Sequence, residues 1–127
     1  TRFADVRLLE APAMKEWYSS YVRWSRPLKV AYTPVQKALN GNAWTPEDAA
    51  ACRSLAQKTS DAMIDAAVFE VPDSRIGYPL RHAIVTLNEL GTACGRGELG
   101  KARMLYNRAN ALLTETATLL GEHNLPL

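Results

Sequence analysis

A chain of 127 residues, 47% hydrophobic and 22% charged, has the size of one domain and the composition of a folded one, which excludes a disordered segment. Its net charge of +2 argues against wholesale nucleic-acid binding. No apolar run approaches the ~20 residues of a membrane span.

Residues 1–12 read either as a short extra helix or as a linker, with Phe3, Val6, Leu8 and Leu9 as the apolar positions. The chain opens on Thr1 rather than methionine. That suggests a signal peptide or membrane anchor upstream; alternatively Thr1 marks only where the sequence was cut. The bundle proper is expected over residues 13–121, with 122–127 as a tail.

The first helix starts near Pro12 and Ala13. Met14, Trp17, Tyr21, Trp24 and Leu28 follow the 3-4-3-4 spacing of a bundle seam. Pro27 should kink or break this helix, because proline removes one hydrogen bond and crowds the preceding turn. Val30 to Leu39 can continue it, until Asn40-Gly41-Asn42 stops it with a turn.

The second helix has a strong start. Thr45 can cap it, Pro46 suits the first helical position, and Glu47 and Asp48 complement the helix dipole. Cys52, Leu55, Ala56, Thr59, Ala62, Met63 and Ala66 form its apolar face. Val71-Pro72-Asp73-Ser74 ends it, and Asp73 or Ser74 can cap the third helix. There Leu80, Ala83, Ile84, Leu87, Leu90 and Cys94 recur at helical steps, and Gly95 and Gly97 mark the end. The fourth helix runs from about Lys101 to Leu120, with Leu105, Ala109, Leu112, Thr116 and Leu119 buried and Gly121 as its terminator. The expected fold is an all-α, antiparallel up-and-down four-helix bundle.

Cys52 lies 20 positions before Pro72, and Cys94 lies 21 after Asp73. A hairpin turning at Pro72–Asp73 therefore brings both to one level on facing apolar surfaces, which predicts a disulfide between helices two and three. Two unrelated buried thiols are the alternative. A disulfide favours an oxidising place: periplasm, cell surface or secreted.

Candidate binding residues gather on helix one and the turn after it. Trp17, Tyr21, Arg23, Trp24, Arg26 and Trp44 offer aromatic rings with polar tips and cations. Seven basic against three acidic residues lie in positions 1–40. Core anchors with a solvated basic face explain the same pattern. No catalytic constellation, metal-ligand spacing or cofactor motif is found: no HExxH, no phosphate loop, no nucleophile elbow. The sequence thus points to a non-enzymatic extracytoplasmic domain that binds a protein partner or a small apolar ligand without a cofactor. The alternatives are a cytoplasmic interaction module or enzyme subunit with reduced cysteines, and nucleic-acid or membrane-surface binding through helix one.

Overall fold

The computed structural model describes residues 2–64 and 70–127, with side chains described from residue 11 onward. Among these residues the chain forms α1 (Arg2–Asn40), α2 (Pro46–Ile64), α3 (Ser74–Gly95) and α4 (Leu99–Gly121). α1 packs on α2, α2 on α3, and α3 on α4. Short connections make this an antiparallel four-helix bundle. Ala66 and the side chains of Phe3, Val6, Leu8 and Leu9, all named above, lie outside the described residues.

α1 continues through Pro12, Pro27 and Pro34, so helix one is not broken at Pro27. Nor are residues 2–12 a separate element; they form the first turns of α1. The physical reason is the face on which the prolines fall. All three are exposed, so the carbonyls they leave without a helical donor lie towards water. The buried seam is Met14, Trp17, Tyr21, Ser25, Leu28, Tyr32, Val35 and Leu39. Ser25, not Trp24, occupies the deep position between Tyr21 and Leu28, and Trp24 is half-buried beside it.

α2 begins as its sequence dictates. The Asp48 N–H donates to Thr45 Oγ1 at 3.3 Å, and the Thr45 N–H donates to Asp48 Oδ2 at 2.9 Å, a reciprocal cap. α2 and α3 are then fastened at three levels. The Cys52–Cys94 disulfide, with Cα atoms 5.7 Å apart, joins them near the open end. Next, Gly91 lies so close to α2 that a side chain there would meet the main chain of Cys52 and Ala56. Deeper still, Asn88 Nδ2 donates to the Ala56 carbonyl at 2.9 Å, Thr59 Oγ1 at 3.0 Å and Ser60 Oγ at 2.9 Å.

The other end of the bundle is held by charge. Asp73 caps α3 by accepting from the Arg75 N–H at 3.1 Å. It also pairs with Arg75 Nη2 at 2.7 Å and with His123 Nε2 at 2.9 Å, and the same guanidinium nitrogen reaches Glu122 at 2.8 Å. The hydrogen-bonded Arg75 guanidinium holds the Asp73 carboxyl well below the usual carboxylate range. α4 does not end on a left-handed Gly121 as expected. Gly121 stays helical, and Asn124 takes the left-handed conformation at φ 59°. The Leu125 N–H returns to the Leu120 carbonyl at 3.1 Å, so the helix closes three residues later than a glycine count suggests.

The core divides in two. One cluster surrounds the disulfide, with Val35, Leu55, Leu90 and Ala109. The other holds Met14, Trp17, Tyr21, Ile76 and Leu120, with Leu125 and Leu127 of the tail packed against it.

Candidate functional site: a groove between α1, α3 and α4

Where the two core clusters meet, α1 and α4 do not close on each other, and a groove of about 260 Å³ opens between them. Leu28 from α1, Leu80, Ile84 and Leu87 from α3 and Leu113 from α4 make its apolar lining. This lies near the lower end of the ~300–1,000 Å³ typical of small-molecule sites, which suits a small ligand.

Each end of the groove is polar. At one end the Tyr32 hydroxyl donates to Asn110 Oδ1 at 2.8 Å, bridging α1 and α4. Burial pushes the Tyr32 hydroxyl pKa upwards, so this phenol stays a donor. At the other end Tyr21, Lys29 and Leu127 converge. Tyr21 is at the centre of an aromatic cluster: it stacks on Trp17 at 5.2 Å and Tyr18 at 5.5 Å and meets Trp24 edge-on at 5.1 Å. Burial pushes the Tyr21 hydroxyl up to about 12. The Ser25 side chain faces Tyr21 and offsets part of that rise, and its hydroxyl has no partner within ordinary hydrogen-bond geometry among the described residues. A buried hydroxyl with no partner is uncommon and costs roughly 1–3 kcal/mol. Ser25 is 4% exposed and lines the groove. Trp17 Nε1 is likewise buried without a partner among the described residues.

The structure separates residues that looked like one surface. Tyr21 and Trp24 line the groove, while Trp17 is packed behind Tyr21 in the core. Arg23 and Arg26 lie on the opposite side of α1. With Lys58 of α2 they rim a shallow furrow floored by Pro27, Val30, Ala31, Pro34 and Ala51. Trp44 belongs to neither. It follows the C-terminal end of α1, packs against the disulfide cluster and lines a small cleft with Leu99 and Arg103. Arg23, Arg26 and Trp44 therefore share no face with the groove rings Tyr21 and Trp24, whereas Lys29 lies beside them.

Sequence reasoning missed Ser25 and Asn110; Tyr32 and Lys29 belong to the stretch from Tyr18 to Tyr32 in which aromatic and basic residues alternate, but nothing in it placed them at a groove. Ser25 and Tyr32 had a signal, since Ser25 keeps the seam spacing from Tyr21 to Leu28 as well as Trp24 does, and Tyr32 keeps it from Leu28 to Val35. Asn110 is 78 residues from Tyr32, beyond any local pattern.

Among the described residues no group of three or more His, Cys, Asp or Glu is placed to hold a metal ion. No helix among them is long and apolar enough to cross a membrane. Comparison with family models, with curated proteins and with solved structures gives no match for this chain.

Proposed function

We propose that this chain is a non-enzymatic, extracytoplasmic helical domain that binds a small apolar ligand between α1, α3 and α4. The carrying observation is the groove itself, apolar between two polar ends, with the buried Ser25 hydroxyl in its wall lacking a hydrogen-bond partner among the described residues. A polar atom left without a partner inside a protein is expected where a ligand supplies one. The disulfide supports the oxidising location; the cytoplasmic alternative requires both thiols reduced.

Ser25→Leu tests the reading. It fills the groove and removes the unpaired hydroxyl, so it should hold or raise stability while abolishing uptake of a neutral apolar probe such as 1-decanol, followed by Trp24 fluorescence. A variant that is stable and still takes up the probe with unchanged affinity refutes the groove. Intact mass after thiol blocking, on protein taken from its own compartment, tests the location.

A second reading rests on the furrow. Arg23, Arg26 and Lys58 form no ion pair among the described residues, and Val30 between them is 70% exposed. An acidic protein segment with one apolar anchor complements that charge. Arg23→Glu with Arg26→Glu should abolish its capture, and retained capture excludes the furrow.

A further inference from the structure

At the mouth of the groove two donors hold one oxygen. The Tyr21 hydroxyl and the Lys29 ammonium both donate to the main-chain oxygen of Leu127. Tyr21 is 2% exposed, so this donor is fixed in the core rather than presented on a loose side chain. Lys29 lies 5.5 Å from the centre of the Tyr21 ring, which keeps its charge beside the phenol. An ammonium and a neutral phenol converging on one point form a receptor for an anionic oxygen, and charge-assisted hydrogen bonds are about twice as strong as neutral ones. Behind it the groove is apolar.

The group now held there belongs to residues 125–127. The Tyr18 hydroxyl donates to the Pro126 carbonyl at 2.7 Å, and Leu125 and Leu127 are half-buried. Upstream, His123 is pinned to Asp73, and Asn124 turns the chain in its left-handed conformation. His123 is thus tied to the start of α3, and residues 125–127 are held by the bonds from Tyr18, Tyr21 and Lys29, the Leu125 N–H bond to the Leu120 carbonyl and two leucines.

Resting on the reading of the groove as a ligand site, we propose that it takes a short apolar molecule headed by a carboxylate. The carboxylate replaces the Leu127 oxygen on Tyr21 and Lys29, and residues 125–127 swing aside about Asn124 as the chain of the ligand enters. A single cation and a single phenol match one carboxylate; phosphate recognition characteristically recruits arginine forks. The volume of about 260 Å³ limits the apolar part to a short chain.

The test compares decanoate with 1-decanol, which has the same chain and a neutral head, by calorimetry and amide NMR below their aggregation limits. Decanoate should bind about tenfold more tightly and shift the Leu125 and Leu127 amides. Tyr21→Phe, which keeps the ring, and Lys29→Met should each bring decanoate down to the affinity of 1-decanol measured on the same variant. Equal affinities in the unaltered protein overturn the carboxylate assignment and leave the groove standing. A decanoate preference that survives both substitutions also overturns it. Saturable binding of neither probe removes the groove reading itself. Thermal melts establish that both variants are folded before either result is read.

Discussion

Gly91→Ala should loosen the α2–α3 interface at its tightest point. A Cβ at Gly91 would fall 2.7 Å from the Cys52 carbonyl oxygen, 2.7 Å from the Ala56 nitrogen and 3.0 Å from the Ala56 Cα. All three are main-chain atoms, so no side chain can rotate away. Relief requires the helices to part by roughly 1 Å to restore ordinary contact distances. The same movement would stretch the 5.7 Å Cα separation of Cys52 and Cys94 towards the ~6.8 Å limit that a disulfide spans. It would also pull Asn88 from its acceptors on α2. Overpacking costs roughly 1–3 kcal/mol, and a rigid obstacle belongs at the upper end. Replacing a mid-helix glycine by alanine returns about 1 kcal/mol of helix propensity. The net loss is about 2 kcal/mol, which in urea lowers the midpoint by about 1 M at an m-value near 2 kcal/mol/M. Gly100 provides the control, because a Cβ there meets nothing within 4 Å. Gly100→Ala should be neutral or stabilising by up to about 0.5 kcal/mol. If Gly91→Ala unfolds at the same urea concentration as the unaltered protein, the close approach of α2 and α3 is wrong.

Two further outcomes are expected. Reducing the Cys52–Cys94 bond, which closes a loop with a sequence separation of 42, should lower stability by roughly 4 kcal/mol. Urea titrations with and without reductant measure it, and coincident curves would show that the bond contributes nothing. Asp73→Asn separates the cap from the charge, since asparagine caps helices as well as aspartate. Asp73 faces Arg75 and His123, and through Arg75 it reaches Glu122. Its folded pKa is depressed, so its stabilisation is fully present above the ordinary carboxylate range and fades as pH falls below about 4. The unaltered protein should therefore lose more stability than Asp73→Asn between about pH 4 and pH 2; parallel pH profiles refute the assignment.

Some of this was legible in the chain and some was not, for identifiable reasons. The disulfide was legible because a hairpin turn and two equal counts fix a register, and because Cys52 and Cys94 fall on apolar faces that must meet. The Thr45 cap was legible because a cap is a local pattern of four residues. The unbroken α1 was not, since a proline in a sequence does not say which way its ring faces. Here Pro12, Pro27 and Pro34 all face outward, and each omitted hydrogen bond falls on the wet side. The groove was not legible either. It is a gap, set by how far α4 stands from α1, and helical spacing specifies what is buried but not which two helices fail to close. Trp24 added to this, because a large ring attracts a core assignment that in fact belongs to Ser25.

The distribution of fasteners decides where this bundle can open. α2 and α3 are joined by a covalent bond, a glycine contact and the Asn88 hydrogen bonds. Asp73, Arg75 and His123 tie the start of α3 to the end of α4. Across the α1–α4 seam the described residues show the Tyr32–Asn110 bond, a 3.4 Å contact from Asn40 to the Tyr106 hydroxyl, the tilted Tyr32–Tyr106 ring pair, and the tail on Tyr18, Tyr21 and Lys29. Regions with few buried apolar contacts and exposed hydrogen bonds open at lower free energy than the rest of a domain. Ligand entry is therefore expected through the α1–α4 seam, on the side away from the disulfide. Stability and binding then respond to different bonds. Reduction should lower the urea midpoint while leaving the affinity of the folded protein for decanoate unchanged, whereas Lys29→Met should do the reverse. A reduced, folded protein with weakened binding would mean that the disulfide shapes the groove, and that the two core clusters behave as one.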